Sequence, residues 1–159
     1  MKLIKVVILG LALAAPLSAL ALEGDQQVEY TDALTSGNVK MVKKYLDGGL
    51  SVNEQFFAWS ALHISANHDQ LEVVKLLIER GADPNYRHPI TKMTPLTMAA
   101  IDGFTDVVEY LLSKGGDPNI KLRGNVSVLR IVRDNGDAKM AELLESKGAK
   151  DDGCQGECF

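Results

Sequence analysis

Few residues in this 159-residue chain are of a type that does chemistry, and their spacing limits what they could do. The two cysteines, Cys154 and Cys158, stand in "DDGCQGECF" with three residues between them, including Gly156. That is enough chain to fold back and bring sulfur to sulfur. A local disulfide is one reading; a reactive thiol pair, a soft-metal site for Cu(I) and a bond to a partner are the others. A disulfide here would close a tiny loop outside any core and add little to global stability. Of the three histidines, His63 and His68 lie five positions apart. That spacing turns them about 140° away from each other on a helix, so they do not converge on one metal. His88 stands between Arg87 and Pro89 and reads as a surface residue. Asp151 and Asp152 lie in the tail, where no fold would raise a carboxyl pKa for acid catalysis. No Gly-x-Ser-x-Gly elbow, phosphate loop or His-Glu-x-x-His occurs. Neither an enzyme nor a cofactor is expected.

The stretches "RGADPN", ending at Asn85, and "KGGDPN", ending at Asn119, could each be a turn, an anion cradle or a metal loop. Their 34-residue separation decides the matter, because the similarity extends well beyond them. Ser60 to Asn85 aligns with Thr94 to Asn119 without a gap: Leu62 over Leu96, Ala66 over Ala100, Val73 and Val74 over Val107 and Val108, Gly81 over Gly115. Moving on by 33 brings Leu129, Gly136, Leu144 and Gly148 into the same places, and moving back by 32 from the second unit brings Gly37, Val42, Leu46, Gly49 and Asn53. Four units result, the outer two degenerate. The glycine closes a helix and Asp-Pro-Asn turns the chain onward, so these stretches mark the phase of a repeat.

Each unit must supply two short helices. Thr94 suits an N-cap, and Pro95 suits the first helical position, where a missing N–H costs nothing. Leu96, Ala99 and Ala100 follow at helical spacing, and Gly103 breaks the helix. Val107, Val108, Leu111 and Leu112 form the apolar stripe of the second helix, which Gly115 ends. Helices of about 8 residues do not persist alone in water, so the units must stack. Polar residues in the outer units, such as Lys40, Lys43 and Lys44 in the first and Arg130, Arg133 and Lys139 in the last, suit faces turned to solvent.

These residues resemble the ankyrin repeat. The likeness is carried by Thr94-Pro95-Leu96 with Ala99-Ala100, Ser60-Ala61-Leu62-His63, Val73-Val74-x-Leu76-Leu77 and Gly81-Ala82-Asp83-x-Asn85. The resemblance covers about residues 28 to 150 and implies an all-α fold, an α-solenoid of four helix-turn-helix units with short finger loops. The units are expected at 28–57, 58–91, 92–124 and 125–150, with 22–27 as a linker and 151–159 as a tail. It also implies that His63 is structural and that binding uses the loops and the inner first helices. Thr97 and Arg130 depart from the pattern by standing in the histidine slot.

The loops differ most between units, running 7, 9 and 8 steps from the closing asparagine to the next helix cap. The first holds Phe56, Phe57 and Trp59, large anchors of the kind that dominate interface energy, with Phe56 expected to be exposed. Trp59 also reads as packing on its own repeat. The second offers Tyr86, Arg87 and His88, the third Lys121 and Arg123. A protein partner bound through these residues is the expected function, with the chain itself a monomer. A thiol- or metal-dependent redox factor using the cysteine pair, and a secreted effector acting on a host protein, are the alternatives.

The N-terminus reads as an address. Lys2 and Lys5 precede "VVILGLALAA", and Ala19 and Ala21 occupy Ala-x-Ala positions, so residues 1–21 are expected to be a signal peptide cleaved after Ala21. The apolar run is short of the roughly 20 residues that span a bilayer. A bacterial periplasm is the expected destination, with secretion as the alternative, and the cysteines would then meet an oxidising compartment. Loss of Lys2 and Lys5 leaves 15 basic and 21 acidic side chains, a net charge of −6. An acidic chain without basic clusters argues against nucleic acid, and no second long apolar segment offers membrane insertion.

Overall fold

The computed structural model describes residues 22–151. The expected signal peptide and both cysteines lie outside the described residues. Eight helices form four antiparallel pairs: α1 (Gly24–Ser36) with α2 (Val39–Asp47), α3 (Ala61–Ala66) with α4 (Leu71–Glu79), α5 (Pro95–Ile101) with α6 (Thr105–Ser113), and α7 (Val128–Asp134) with α8 (Ala138–Ser146). The inner helices α1, α3, α5 and α7 stack in sequence, and the outer helices α2, α4 and α6 stack behind them. This is the expected all-α solenoid. One boundary differs: α1 begins at Gly24, so residues 24–27, read as linker, are its first turn. At 13 residues it is about twice the length of the inner helices α3, α5 and α7.

The helix boundaries follow from local chemistry. The Thr94 hydroxyl accepts from the Thr97 N–H at 3.2 Å, while the Thr97 hydroxyl accepts from the Thr94 N–H at 2.7 Å, a reciprocal cap with Pro95 just inside it. Ser60 and Ser127 cap α3 and α7 in the same way, each hydroxyl accepting from the backbone three residues on. Between paired helices the chain turns through a left-handed residue: Gly37, Asp69, Gly103 and Gly136, at φ of 77°, 56°, 79° and 79°.

The core is one apolar seam through all four units. Leu62, Leu96 and Leu129 hold one repeat-equivalent position, Val74 and Val108 another, and all are buried. Each such side chain contributes roughly 1.5–3 kcal/mol on burial. Ala66 and Ala100 hold a further equivalent position on the inner helices, and both are buried. The equivalent position in the last unit is Arg133, which is exposed and pairs with Glu145 and Asp151.

The asparagines of the phase marks bind forward. Asn85 donates from Nδ2 to the Gly115 carbonyl at 2.9 Å and accepts at Oδ1 from the Asp117 N–H at 2.8 Å. Asn119 does the same one unit later, to the Gly148 carbonyl and from the Lys150 N–H. Asp83 and Asp117 accept from the N–H of the asparagine two residues on, which closes the turn.

Candidate partner-binding surface

Three fingers project between the pairs, each reversing through a left-handed residue at its tip: Ala58, Lys92 and Asn125, at φ of 70°, 62° and 63°. The first finger is a two-residue hairpin of β1 (Gln55–Phe56) and β2 (Trp59–Ser60), with Phe56 opposite Trp59. Both turn residues, Phe57 and Ala58, have positive φ, a geometry that normally selects Asn-Gly. Phe57 is 90% exposed at the tip. Phe56, expected to be exposed, is instead buried. It packs on the Tyr30 ring of α1 at 5.5 Å. Successive side chains of a strand point to opposite faces, so only one of two adjacent aromatics can reach a partner.

His88 also departs from expectation. It is buried, its ring stacked on Trp59 at 3.8 Å between centroids. Its Nδ1 accepts the Thr91 N–H at 3.2 Å, which fixes the turn of the second finger. Trp59 and His88 therefore fasten the first finger to the second. His63, 0% exposed, completes this junction. The Met93 carbonyl can only accept, so Nε2–H donates to it at 3.1 Å; in the neutral ring Nδ1 is then the acceptor and takes the Ser60 hydroxyl proton at 2.9 Å, while the Ser60 oxygen accepts the His63 backbone N–H. Burial pushes the imidazole pKa down to about 4, so it stays neutral at neutral pH. Tyr86 is half-buried and meets the His63 ring edge-on. Arg87 donates to the Lys121 carbonyl at 3.0 Å, and the Arg123 N–H donates to the Thr91 carbonyl at 2.9 Å, joining the second finger to the third.

The groove between fingers and inner helices adds to Trp59 five residues that loop-centred reasoning missed. Trp59, Met93 and Val126 share one repeat position, and Ile64, Met98 and Ile131 share another. All six are half-buried and line two cavities. One, of about 290 Å³, is bounded by Trp59, Ile64, Asn67, His68 and Met98. The other, of about 340 Å³, lies between the last two fingers and α7. In the first unit the equivalent positions are Gln27 and Asp32, so the apolar track begins at the second unit. The signal was present in the sequence: Ile64, Met98 and Ile131 are apolar yet off the core-facing phase of their helices.

Among the described residues no group of three or more His, Cys, Asp or Glu is placed to hold a metal ion, and no helix is long and apolar enough to cross a membrane. The surface offers shape, apolar area and charge. Fingers two and three carry Arg87, Lys92, Lys121 and Arg123 and no acid across residues 86–94 and 120–127.

Comparison with known proteins agrees with this architecture. Residues 31–122 match the family model "Ankyrin repeats (3 copies)". The chain is similar to "Ankyrin repeat, SAM and basic leucine zipper domain-containing protein 1" from Ovis aries, 36% identical over 63 residues, covering 39% of this chain and 13% of that protein. The Notamacropus eugenii protein of the same description is 38% identical over 58 residues, covering 36% of this chain and 12% of the relative. The chain thus spans about an eighth of the length of these mammalian relatives. With four stacked helix pairs, capped turns, an asparagine ladder and a matching family model over more than half its length, the chain belongs to the ankyrin-repeat family, whose repeats serve as protein–protein interaction modules.

Proposed function

We propose that this chain is a non-enzymatic binding module that holds one folded protein partner in its concave groove and against its fingertips. One observation carries the reading: an apolar track runs half-exposed through three successive units, and two of the fingers carry bare apolar residues, Phe57 at 90% and Ile90 at 65% exposure. Contiguous exposed apolar surface rimmed by polar groups marks interaction sites. Phe57 is moreover held in a left-handed turn that costs about 1–2 kcal/mol per residue without gaining burial. Phe57, Trp59, Arg87, Lys121 and Arg123 contribute the finger side; Ile64, Met98 and Ile131 contribute the helix side.

The partner is met outside the cytoplasm, a reading supported by the residue pattern of positions 1–21. Crosslinking in the native host followed by capture tests both parts. A Phe57→Asp/Met98→Asp variant with parental helicity and thermal midpoint should lose the crosslinked partner. Equal recovery would remove the groove from the function. The purified protein should begin at Leu22 and fractionate outside the cytoplasm, and an intact cytoplasmic chain would refute export.

A further inference from the structure

The cavity between the last two fingers and α7 differs from its neighbour in one respect: it combines apolar walls with cations. Met93, Leu122, Val126 and Ile131 supply the walls, Thr91 and Arg123 the mouth, and Arg130 and Asp134 the α7 side. At about 340 Å³ it lies at the low end of ligand pockets, suited to one or two side chains. Arg130 and Asp134 pair with each other at 3.6 Å, which leaves the local balance to the fingers. There Arg123 lies on the rim, exposed, its backbone tied to Thr91, while Lys121 and Lys92 flank the lining residues Leu122 and Thr91. Among the described residues the Arg123 guanidinium makes no ion pair. These cations stand together on a chain of net negative charge, so this end of the groove repels basic segments and attracts acidic ones.

We infer that this cavity receives a segment of the partner in which a bulky apolar side chain is flanked by carboxylates: the apolar group enters between Met93, Leu122, Val126 and Ile131, and an acidic neighbour meets Arg123. This rests on the groove being the binding surface and adds the chemistry of what it binds. The neighbouring cavity at Trp59, Ile64 and Met98 has His68 and Asn67 on its rim and no arginine or lysine, so it does not share the preference.

The test titrates the full-length, isotope-labelled protein at low salt with the capped peptide Ac-Gly-Glu-Leu-Phe-Glu-Gly-NH2. Two controls replace both Glu by Lys, or Leu-Phe by Ala-Ala. Amide shifts should centre on Met93, Leu122, Arg123, Val126 and Ile131, and each control should bind about tenfold more weakly. Arg123→Glu, at an exposed position, should reduce the preference for the acidic peptide or invert it. Equal affinity for acidic and basic peptides, shifts centred on Trp59, Ile64 and Met98, or no binding of any peptide would overturn the inference. In each case partner capture that still depends on Phe57 and Met98 would leave the binding function standing, whereas capture indifferent to both would end that reading independently.

Discussion

At the scale of single residues, His63 ties two fingers together from a fully buried position that disfavours its charged form. Its pKa falls from the ordinary 6.5 to about 4, chiefly through burial, with the bond to the Met93 carbonyl opposing the shift. Between those values the unfolded chain binds the proton and the folded chain does not, so stability rises with pH across the window. The folded state should therefore lose about 3 kcal/mol through this residue as pH drops from 6.5 to 4, with no further loss below, where both states are protonated. Thr97 fills the same slot one unit later through a reciprocal cap, which makes His63→Thr the natural comparison. Urea denaturation across the window should show the parent losing stability faster than the variant; parallel curves would assign the acid sensitivity elsewhere. The slot was legible in the sequence through the family pattern. The partner atom was not, because Met93 lies 30 residues away in a finger whose path depends on its own turn.

Among the elements, the first finger shows where local preference yields to something else. Its tip uses Phe57 and Ala58 where Asn and Gly would relieve left-handed strain. Phe57→Asn/Ala58→Gly should raise the denaturation free energy by about 1–2 kcal/mol while weakening partner capture. A stabilised variant with full capture would leave the first finger a connector only. The helices themselves were legible, because caps, glycines and apolar stripes recur at offsets of 32 to 34. The orientation of Phe56 against Phe57 was not. Adjacent aromatics exchange faces with a one-residue change of register, and the turn length sets that register. His88, expected at the surface, is buried for a related reason: its burial depends on Trp59, supplied by a different finger.

For the molecule as a whole, stability is a sum over units and the interfaces between them. Asn85 supplies two bonds across the central interface, and Asn85→Ala should cost about 1–3 kcal/mol by leaving the Gly115 carbonyl and Asp117 N–H without it. The loss falls at a junction, so cooperativity should suffer as well. Trp59, the single tryptophan, reports the second unit, while circular dichroism reports all helices. The two transitions should coincide in the parent and separate in the variant; coincidence in both would show that the inner-helix contacts alone couple the halves. A repeated stacking surface carries a hazard of another kind, since the same face can accept another copy head to tail, and contacts that never close on themselves run on into filaments. At the alanine position the last unit places Arg133, held by Glu145 and Asp151. Adding one more helix pair there would strand a guanidinium away from water. Lengthening the column by an engineered helix pair should therefore begin with Arg133→Ala.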